Sequence, residues 1–391
     1  MDWAWEAIVG LLFFILFYTY VGYPLLVYVL ARLRDTFSTH SHHSPEPSQI
    51  DKKTDWPMVS ILIPAFNEEN VIRKKVENTL SVDYPKDRLQ IVIVSDGSTD
   101  QTDAMLASYS EQEIEVVHMS KRQGKTAVLN RMIPVMQGEI VVLSDASGLI
   151  RQDALKQLVH HFKDPKVGGV CGTYVIDADD ESLRSITEKF YWQYETFLKK
   201  YESLLHSSIG AHGAFYGFRR ALFTPLSEKA INDDFILPMQ IVGKGLRVIY
   251  EPEAMVEEHE TTSLVGEFRR RTRINVGNFQ QIYILLGLLN PARGIVAFEF
   301  FSHKVLRAFS PFVILALPIA CFFASGPIID LLLQLQLAFY LFGILGYLQE
   351  FVGLRIRYLY LPFYFLAGNV SAIIGFFKFI FRKQSLLWER V

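Results

Sequence analysis

The chain has 391 residues, of which 50% are hydrophobic and 14% aromatic, and its mean hydropathy is +0.19. This value is high for a soluble protein and directs attention to membrane segments first. The formal net charge is only -2, so no global positive field predicts a nucleic-acid partner. The two cysteines, Cys171 and Cys321, are too few and too far apart for a disulfide framework or a cysteine metal cluster.

The first predicted element is a transmembrane helix within residues 1–34. Residues 8–31 carry no charge, and about 20 apolar residues suffice to cross the hydrocarbon layer. The acidic start of the chain argues against a cleaved signal peptide. Arg32 and Arg34 follow the apolar stretch and predict that its C-terminal end faces the cytoplasm. Residues 35–56 then form a predicted polar linker, whose histidines more often serve no specific purpose than bind a metal.

Residues 57–275 are predicted to form one α/β domain. Short apolar runs alternate with helical patterns, and this alternation is typical of strands in a parallel sheet that helices cover on both faces. The expected strands of this part are 59–63, 91–94, 114–118 and 140–143. Beyond residue 153 the pattern is more mixed. It predicts helices over 153–162, 183–204 and 234–243, strands over 167–175 and 247–250, and a glycine-rich turn over 210–220.

The C-terminal quarter is again predicted to lie at the membrane. Two strongly apolar stretches within 276–309 are interrupted by charges and a proline, a pattern typical of interfacial amphipathic helices. The remaining segment, 310–391, is predicted to hold about three transmembrane helices, at 310–325, 331–349 and 358–380. Arg382 and Lys383 follow the last of them. They predict either a crossing against the positive-inside rule, which we favour, or a hairpin that folds back.

Carboxylates follow two of the expected parallel strands at the point where each strand ends. Asp96 follows 91–94, and Asp145 follows 140–143. Open α/β sheets bind ligands at this edge, and carboxylate oxygens favour Mg²⁺ or Mn²⁺. The sequence therefore predicts a nucleotide and a divalent cation here, with Lys125 against the diphosphate. The alternatives are that Asp145 only caps the next helix or turn, and that Lys125 is a solvated surface residue.

Three stretches carry a resemblance to a known family, while a P-loop and a dinucleotide-binding glycine motif are both absent from the sequence. The stretches are Val59-Ser-Ile-Leu-Ile-Pro-Ala-Phe-Asn-Glu-Glu69, Ser95-Asp-Gly-Ser-Thr-Asp100 and Lys121-x-x-Gly-Lys125-x-x-x-Leu-Asn130. They resemble the family 2 glycosyltransferases. With apolar segments on both sides, the chain is similar to the membrane-embedded branch that includes cellulose, chitin and hyaluronan synthases. The resemblance covers roughly residues 57–275.

This resemblance implies a GT-A fold, a nucleoside diphosphate sugar (usually a UDP-sugar) as donor, and inversion at the anomeric carbon. It implies that Asp145 is the first aspartate of the family's Asp-x-Asp motif, with Mg²⁺ or Mn²⁺ as cofactor. Asp234 matches the catalytic base, and Asp233 either helps to hold the site or caps the helix that starts there. The implied donor-binding residues are Ala65, Asn67, Glu68, Asp96, Lys125, Asp145 and Arg273.

The chain departs from the family pattern at two places. Ser147 stands where the second metal-binding aspartate is expected, so the cation is held more weakly or by another ligand. His259 is one candidate for that ligand, and an exposed histidine on an acidic loop is the alternative. The Gln-x-x-Arg-Trp motif of the processive synthases is matched by Arg270-x-x-Arg273-Ile274, which keeps only the arginine.

The acceptor is expected on the side of the glycine-rich turn, because glycines let a ligand approach the backbone closely. The alternative is that these glycines only allow tight packing. The predicted acceptor-side residues are Gly213, Ala214, Phe215 and Arg270. The arginine cluster 269–273 has an alternative role, contact with anionic lipid headgroups.

The sequence therefore predicts a multi-pass protein of the cell (inner) membrane with a cytoplasmic GT-A domain. Its predicted reaction adds a sugar to a growing exopolysaccharide or to a lipid-linked glycan. One alternative is the transfer of a single sugar to a lipid carrier, since Ile274 replaces the tryptophan of the processive relatives. A catalytically inactive membrane scaffold is the other alternative. Membrane lipids and proteins for export or assembly are the remaining expected partners.

Overall fold

The computed structural model describes residues 2–37, 56–109, 113–176, 183–258, 264–352 and 356–382. Within these ranges eight strands form one sheet. The strands are β1 (Val59–Ala65), β2 (Leu89–Asp96), β3 (Glu115–Met119), β4 (Ile140–Ser144), β5 (Leu149–Ile150), β6 (Val167–Ile176), β7 (Phe215–Arg219) and β8 (Arg247–Glu258). Their order across the sheet is β3-β2-β1-β4-β7-β6-β8-β5.

The α-helices of the described ranges either pack on this sheet or extend from it as long apolar segments. In chain order they are α1 (Asp2–Phe17), α2 (Tyr23–Phe37), α3 (Ile72–Leu80), α4 (Thr102–Leu106), α5 (Lys125–Met132), α6 (Ala154–His160), α7 (Leu183–Leu205), α8 (Asp233–Gly243), α9 (Leu264–Ile284), α10 (Ile295–Glu299), α11 (Leu306–Phe323), α12 (Pro327–Val352) and α13 (Arg357–Ile380). Two π-helical segments, Tyr18–Gly22 and Phe300–Val305, join α1 to α2 and α10 to α11.

The first half of the sheet is the predicted parallel one. Strand β1 pairs in parallel with β2 and β4, and β2 pairs in parallel with β3. Successive side chains of a strand point to opposite faces, so Ile61 and Ile63 enter one core layer while Leu62 enters the other. All three are fully buried. The continuous apolar run therefore arises because both faces of β1 are covered.

The second half of the sheet is mixed. Strand β7 lies antiparallel between β4 and β6, whereas β6 and β8 are parallel to each other. Strand β8 continues to Glu258, well past its predicted end at residue 250, because β6 pairs with it as far as Glu258 and β5 pairs with Val256 and Glu257 from the opposite edge. This extension brings the end of β8 to the loop that follows β4.

Four helical segments are long and apolar enough to cross a membrane: Trp3–Thr36, Ile295–Phe323, Pro327–Gln349 and Tyr358–Ile380. Two expected boundaries are absent. Residues 295–323 form one continuous helix across the predicted break at 309/310, and α9 runs through the predicted domain end at residue 275. The hairpin alternative for 358–380 is also wrong, because α13 is a single helix of 24 residues.

The prediction of a break at 309/310 rests on charged residues. In the structure these residues are paired inside the protein. His303 Nδ1 lies 2.7 Å from Glu202 Oε1, and Arg307 contacts Glu195. Both glutamates belong to α7 and are buried. The Tyr23 hydroxyl donates to the same Glu202 oxygen at 2.7 Å. A buried polar cluster thus joins the N-terminal helix, α7 and the helix 295–323.

We expect Tyr23→Phe to weaken the attachment of the N-terminal helix. The substitution removes a buried hydrogen bond to a carboxylate, which costs about 1–3 kcal/mol of the free energy of unfolding. The measurement is the thermal unfolding midpoint of the detergent-solubilised protein. Tyr283→Phe, at a position that is 68% exposed, serves as the control and should leave the midpoint unchanged. Equal midpoints for the two variants would contradict this account of the cluster.

Candidate active site

Asp96 ends β2 and anchors the loop in front of α5. Its two carboxylate oxygens accept hydrogen bonds from the backbone N–H groups of Gln123, at 2.8 Å, and Gly124, at 2.7 Å. Gly124 has a φ of 94°, in the left-handed region that favours glycine. The side chain is buried. In this structure Asp96 therefore fixes the position from which α5 and Lys125 begin.

Lys125 connects the loop after β4 with the start of α8. Its Nζ lies 2.9 Å from Asp145 Oδ1 and 3.5 Å from Asp233 Oδ2. Burial favours the neutral amine, but the two carboxylates outweigh this effect and raise the pKa of Lys125 above its usual value. The side chain is thus no freely solvated surface lysine. Asp145 likewise directs its carboxylate to Lys125 rather than to a helix N-terminus.

Asp233 and Asp234 form the first turn of α8. Neither is the N-cap, which is Asn232. The Tyr216 hydroxyl donates to Asp233 Oδ2 at 3.3 Å. Burial and the neighbouring Asp233 carboxylate raise the pKa of Asp234 to about 6, with Lys125 acting in the opposite direction. The site therefore contains two adjacent carboxylates, and that of Asp234 is more basic than an ordinary aspartate, as expected of a proton acceptor.

The loop that follows β1 is tied to the loop that follows β2. Asn67 adopts a left-handed backbone with a φ of 55°, and its Oδ1 accepts from the backbone N–H of Thr99 at 2.8 Å. The backbone N–H of Glu68 donates to Thr102 Oγ1 at 2.8 Å. Ala65, Asn67 and Glu68 thus lie beside the segment that starts at Asp96, at the same sheet edge as the other predicted donor-binding residues.

Ser147 contacts a residue that the sequence did not single out. Its hydroxyl donates to Glu258 Oε1, at the far end of β8. Asp145, Ser147 and Glu258 together offer two carboxylates and a hydroxyl, all of them hard oxygen donors. Mg²⁺ takes one or two carboxylates, substrate phosphates and several waters, so this donor set fits such a cation.

The fit depends on ligands from outside the protein, because no group of three or more His, Cys, Asp or Glu side chains suited to a metal occurs among the described residues. The predicted ligand His259 lies in 259–263, outside the described residues.

The two arginines from the predicted motif differ in their surroundings. Burial lowers the pKa of Arg273, while Asp233 and Asp234 oppose that change, so Arg273 lies within electrostatic reach of both carboxylates. Arg270 Nε instead donates to Glu267 Oε2 at 2.9 Å, one helical turn earlier in α9. Arg273 is therefore attracted by the acidic cluster, while Arg270 pairs with Glu267.

The predicted acceptor-side residues also differ in their surroundings. A Cβ atom on Gly213 would lie 3.2 Å from Asp234 Oδ2, so the absence of a side chain there keeps the carboxylate uncovered. The Ala214 carbonyl accepts from the Ser144 hydroxyl at 3.0 Å. The prediction for the Phe215 side chain is wrong, because this ring starts β7, points into the core and is fully buried.

Three residues of the site escaped sequence reasoning. Lys75 is fully buried on α3, Tyr216 lies in the middle of an apolar strand, and Glu258 belongs to an acidic run. The sequence marks Lys75 only weakly, as one of two adjacent lysines in an amphipathic helix. The other two carry no local signal, because their partners are distant in sequence.

The fold of the chain has a known counterpart. A mannosyltransferase from Pyrobaculum calidifontis, solved in complex with GDP-Man and Mn²⁺, superposes with a TM-score of 0.69. It is 23% identical, and the alignment covers 97% of this chain and all of that one. The fold is therefore that of the GT-A nucleotide-sugar transferases.

The sequence comparisons match part of the chain to one family. Residues 60–226 match Glycosyl transferase family 2. A probable glycosyltransferase of Bacillus subtilis is 29% identical over 59% of this chain, and a beta-monoglucosyldiacylglycerol synthase of Nostoc sp. is 28% identical over 61%. A poly-beta-1,6-N-acetyl-D-glucosamine synthase of Staphylococcus aureus is 26% identical over 55%. The chain carries a family 2 glycosyltransferase domain.

The matched region spans little more than half of these relatives: 58% of the Bacillus protein, 52% of the Nostoc synthase and 53% of the Staphylococcus synthase. One of the relatives is named for a glycolipid product and another for a polysaccharide. The domain is thus similar to enzymes that are named for either kind of product.

We expect Asp96→Asn to loosen the loop in front of α5. An amide side chain has only one acceptor oxygen, so one of the two backbone N–H groups at 123 and 124 loses its charge-assisted partner. Such bonds contribute about 1.5–3 kcal/mol, which corresponds to at least a tenfold faster amide exchange. Hydrogen–deuterium exchange of the peptide that covers 121–125 measures the effect. Unchanged exchange there would contradict the anchoring role.

Proposed function

We propose that this protein is an inverting, metal-dependent glycosyltransferase of the membrane. It transfers a sugar from a nucleoside diphosphate sugar, preferably a UDP-sugar, to a growing exopolysaccharide or a lipid-linked glycan. The observation that carries the proposal is the grouping of Lys125 with Asp145 and Asp233, directly beside Asp234, at the ligand-binding edge of the sheet. This grouping places a cationic side chain that can bind diphosphate beside carboxylates that can bind a metal ion or accept a proton.

Asp234 is the proposed catalytic base. An acceptor hydroxyl is a weak nucleophile, and removal of its proton in the transition state contributes about 10²–10⁴-fold to the rate. With a pKa of about 6, Asp234 stays mostly ionised at pH 7 and is more basic than an ordinary aspartate. Gly213 leaves space beside its carboxylate for the hydroxyl. Asp233, held by Tyr216, keeps the local potential negative and so supports the raised basicity.

Two cations are proposed to bind the diphosphate of the donor. Lys125 Nζ is shared between Asp145 and Asp233, so phosphate oxygens can replace one carboxylate partner without a change of protonation. Arg273 forms no ion pair within 4 Å in the part of the chain that the structure describes, although Asp233 and Asp234 attract it. Its guanidinium is thus available for bidentate contact with phosphate.

A divalent cation is proposed to be held by Asp145, Ser147 and Glu258. When bound, Mg²⁺ or Mn²⁺ supplies Lewis-acid stabilisation of the charge that develops on the leaving diphosphate. The contribution of this chain would be to supply oxygen donors from the loop after β4 and from the end of β8. Ser147 alone is a poorer ligand than the aspartate of the family pattern, and Glu258 returns a negative charge to that position.

The four apolar helices are proposed to cross the membrane and to hold the GT-A domain on its cytoplasmic face. Arg32 and Arg34 follow the first of them and favour this orientation. A single-sugar transfer to a lipid carrier is the second candidate. It is favoured by Ile274, which is 37% exposed where a processive relative offers a tryptophan to the acceptor sugar.

The test is a donor screen with membranes that contain the full chain, using labelled UDP-, GDP- and dTDP-sugars. A ladder of long products supports polymer synthesis, whereas one radiolabelled lipid supports the second candidate. The absence of sugar transfer and of donor hydrolysis with every donor would overturn the proposal.

We expect Asp234→Asn to lower kcat by about 10²–10⁴-fold, because the amide cannot accept the proton. In the wild type, kcat/KM should fall about tenfold per pH unit below pH 6, since protonation of Asp234 removes the base. The measurement is a pH–rate profile from pH 4.5 to 8. Asp153→Asn, in a surface ion pair with Arg151, is the control and should retain the wild-type rate. Wild-type turnover by Asp234→Asn would exclude this residue as the base.

We expect Glu258→Gln to weaken Mn²⁺ binding about tenfold and Ser147→Asp to strengthen it. The first change removes a carboxylate, and the second restores the aspartate of the family pattern. The measurement is electron paramagnetic resonance of free Mn²⁺ during titration, with UDP present, so it does not depend on turnover. Glu257→Gln is a matched control, because this neighbouring side chain is exposed. Identical affinities for all four proteins would refute the proposed ligand set.

A further inference from the structure

Lys75 is a lysine buried completely inside the domain, and no part of the proposed chemistry uses it. It lies on α3 and has an exposure of 0%. Burial lowers its pKa to about 7, with the Asp145 and Glu258 carboxylates acting against this shift. A buried amine is costly unless it is hydrogen-bonded. Its presence therefore requires partners that the structure identifies.

The partners of Lys75 are the two ends of the loop that carries Asp145 and Ser147. Its Nζ donates to Ser144 Oγ at 2.7 Å and to the carbonyl oxygen of Gly148. These two acceptors bracket the loop on both sides, and a backbone hydrogen bond from Gly148 to the Asp145 carbonyl closes the turn between them. The amino group of Lys75 thus holds together the two ends of the loop that carries the predicted metal ligands Asp145 and Ser147.

A second side chain of α3 continues the attachment. Asn78 Nδ2 donates to the Ile150 carbonyl at 2.8 Å, and Asn78 Oδ1 accepts from the Ile150 N–H at the same distance. Residues 75 and 78 are neighbours on one helix face. The helix α3 therefore holds the loop and the short strand β5 behind it through four hydrogen bonds, all made by side chains.

The hydrogen bond from Lys75 to Ser144 is the first of a series of contacts that lead toward Asp234, the proposed base. Because Lys75 donates to Ser144 Oγ, the Ser144 hydroxyl is free to donate onward to the Ala214 carbonyl at 3.0 Å. The Asp145 N–H approaches the same carbonyl at 3.4 Å. Gly213, the residue before Ala214, lies against the Asp234 carboxylate. This hydrogen-bonded chain connects the donor side of the site with its acceptor side.

We propose that Lys75 is a positioning residue, which holds the Ser144–Gly148 loop so that Asp145 and Ser147 face the diphosphate and the metal. It touches neither substrate. The inference rests on the proposed function, since it assigns to Lys75 the geometry of that same site. A lysine that served only the stability of the core would change the unfolding midpoint when replaced, but would leave ligand affinity intact.

The test compares Lys75→Met with Lys74→Met in the full chain. Methionine keeps most of the length of lysine and removes the donor group, while Lys74 is exposed on the same helix and provides the matched control. The probes are UDP and GDP, each titrated calorimetrically with Mn²⁺ present, together with the thermal unfolding midpoint. We expect Lys75→Met to bind the preferred nucleotide at least tenfold more weakly and Lys74→Met to bind like the wild type.

A second variant keeps the proposal testable if Lys75→Met does not fold. Ser144→Ala keeps Lys75 and its bond to Gly148 but removes both hydrogen bonds of the Ser144 hydroxyl, to Lys75 and to Ala214. It is expected to fold with a lower unfolding midpoint and to weaken nucleotide–Mn²⁺ binding about threefold. If Lys75→Met does not fold, Ser144→Ala decides. Wild-type affinity in either folded variant overturns the positioning role. If the wild type itself binds neither UDP nor GDP, the proposed function fails, and the inference fails with it.

Discussion

Mutual repulsion among carboxylates is the constraint on which the site depends. Asp145, Asp233 and Asp234 are brought together at one sheet edge, where their like charges repel one another. Lys125 relieves this repulsion by bridging two of them, and Arg273 adds positive potential from α9. Burial and the neighbouring Asp233 carboxylate together still raise the pKa of Asp234. The same arrangement that would destabilise an ordinary core thus creates a basic carboxylate beside a cationic group.

Buried side chains hold two of the loops around this cluster. Asp96 accepts two hydrogen bonds from the loop in front of α5, and Lys75 donates two hydrogen bonds to the loop after β4. Both residues are buried, so their hydrogen bonds form in an environment where water competes poorly. Loops at a ligand-binding edge lack the regular hydrogen bonds of strands and helices. Anchors of this kind replace those bonds and keep Lys125 and Asp145 at a fixed separation.

The domain and the apolar helices are joined by another set of buried charges. Glu195 and Glu202 on α7 receive Arg307 and His303 from the helix 295–323, and Tyr23 from the N-terminal segment. Both π-helical segments lie at this junction, where the Tyr18 hydroxyl meets the Ser302 hydroxyl at 2.8 Å. Buried polar and charged groups beside apolar helices are tolerated because they pair with one another. The catalytic domain is thereby attached to the apolar helices by specific bonds as well as by apolar contact.

The sequence by itself determined the parallel half of the sheet, the strand-end position of Asp145 and the start of α8, because apolar periodicity and loop residues are local signals. The GT-A fold that the resemblance implied is confirmed. Only the tertiary structure decided that β7 is inserted between β4 and β6, that Glu258 meets Ser147, and that Lys75 lies beneath the loop. It also turned Phe215 inward. These features depend on contacts between residues far apart in the chain, and no local pattern encodes which distant partner a buried side chain will find.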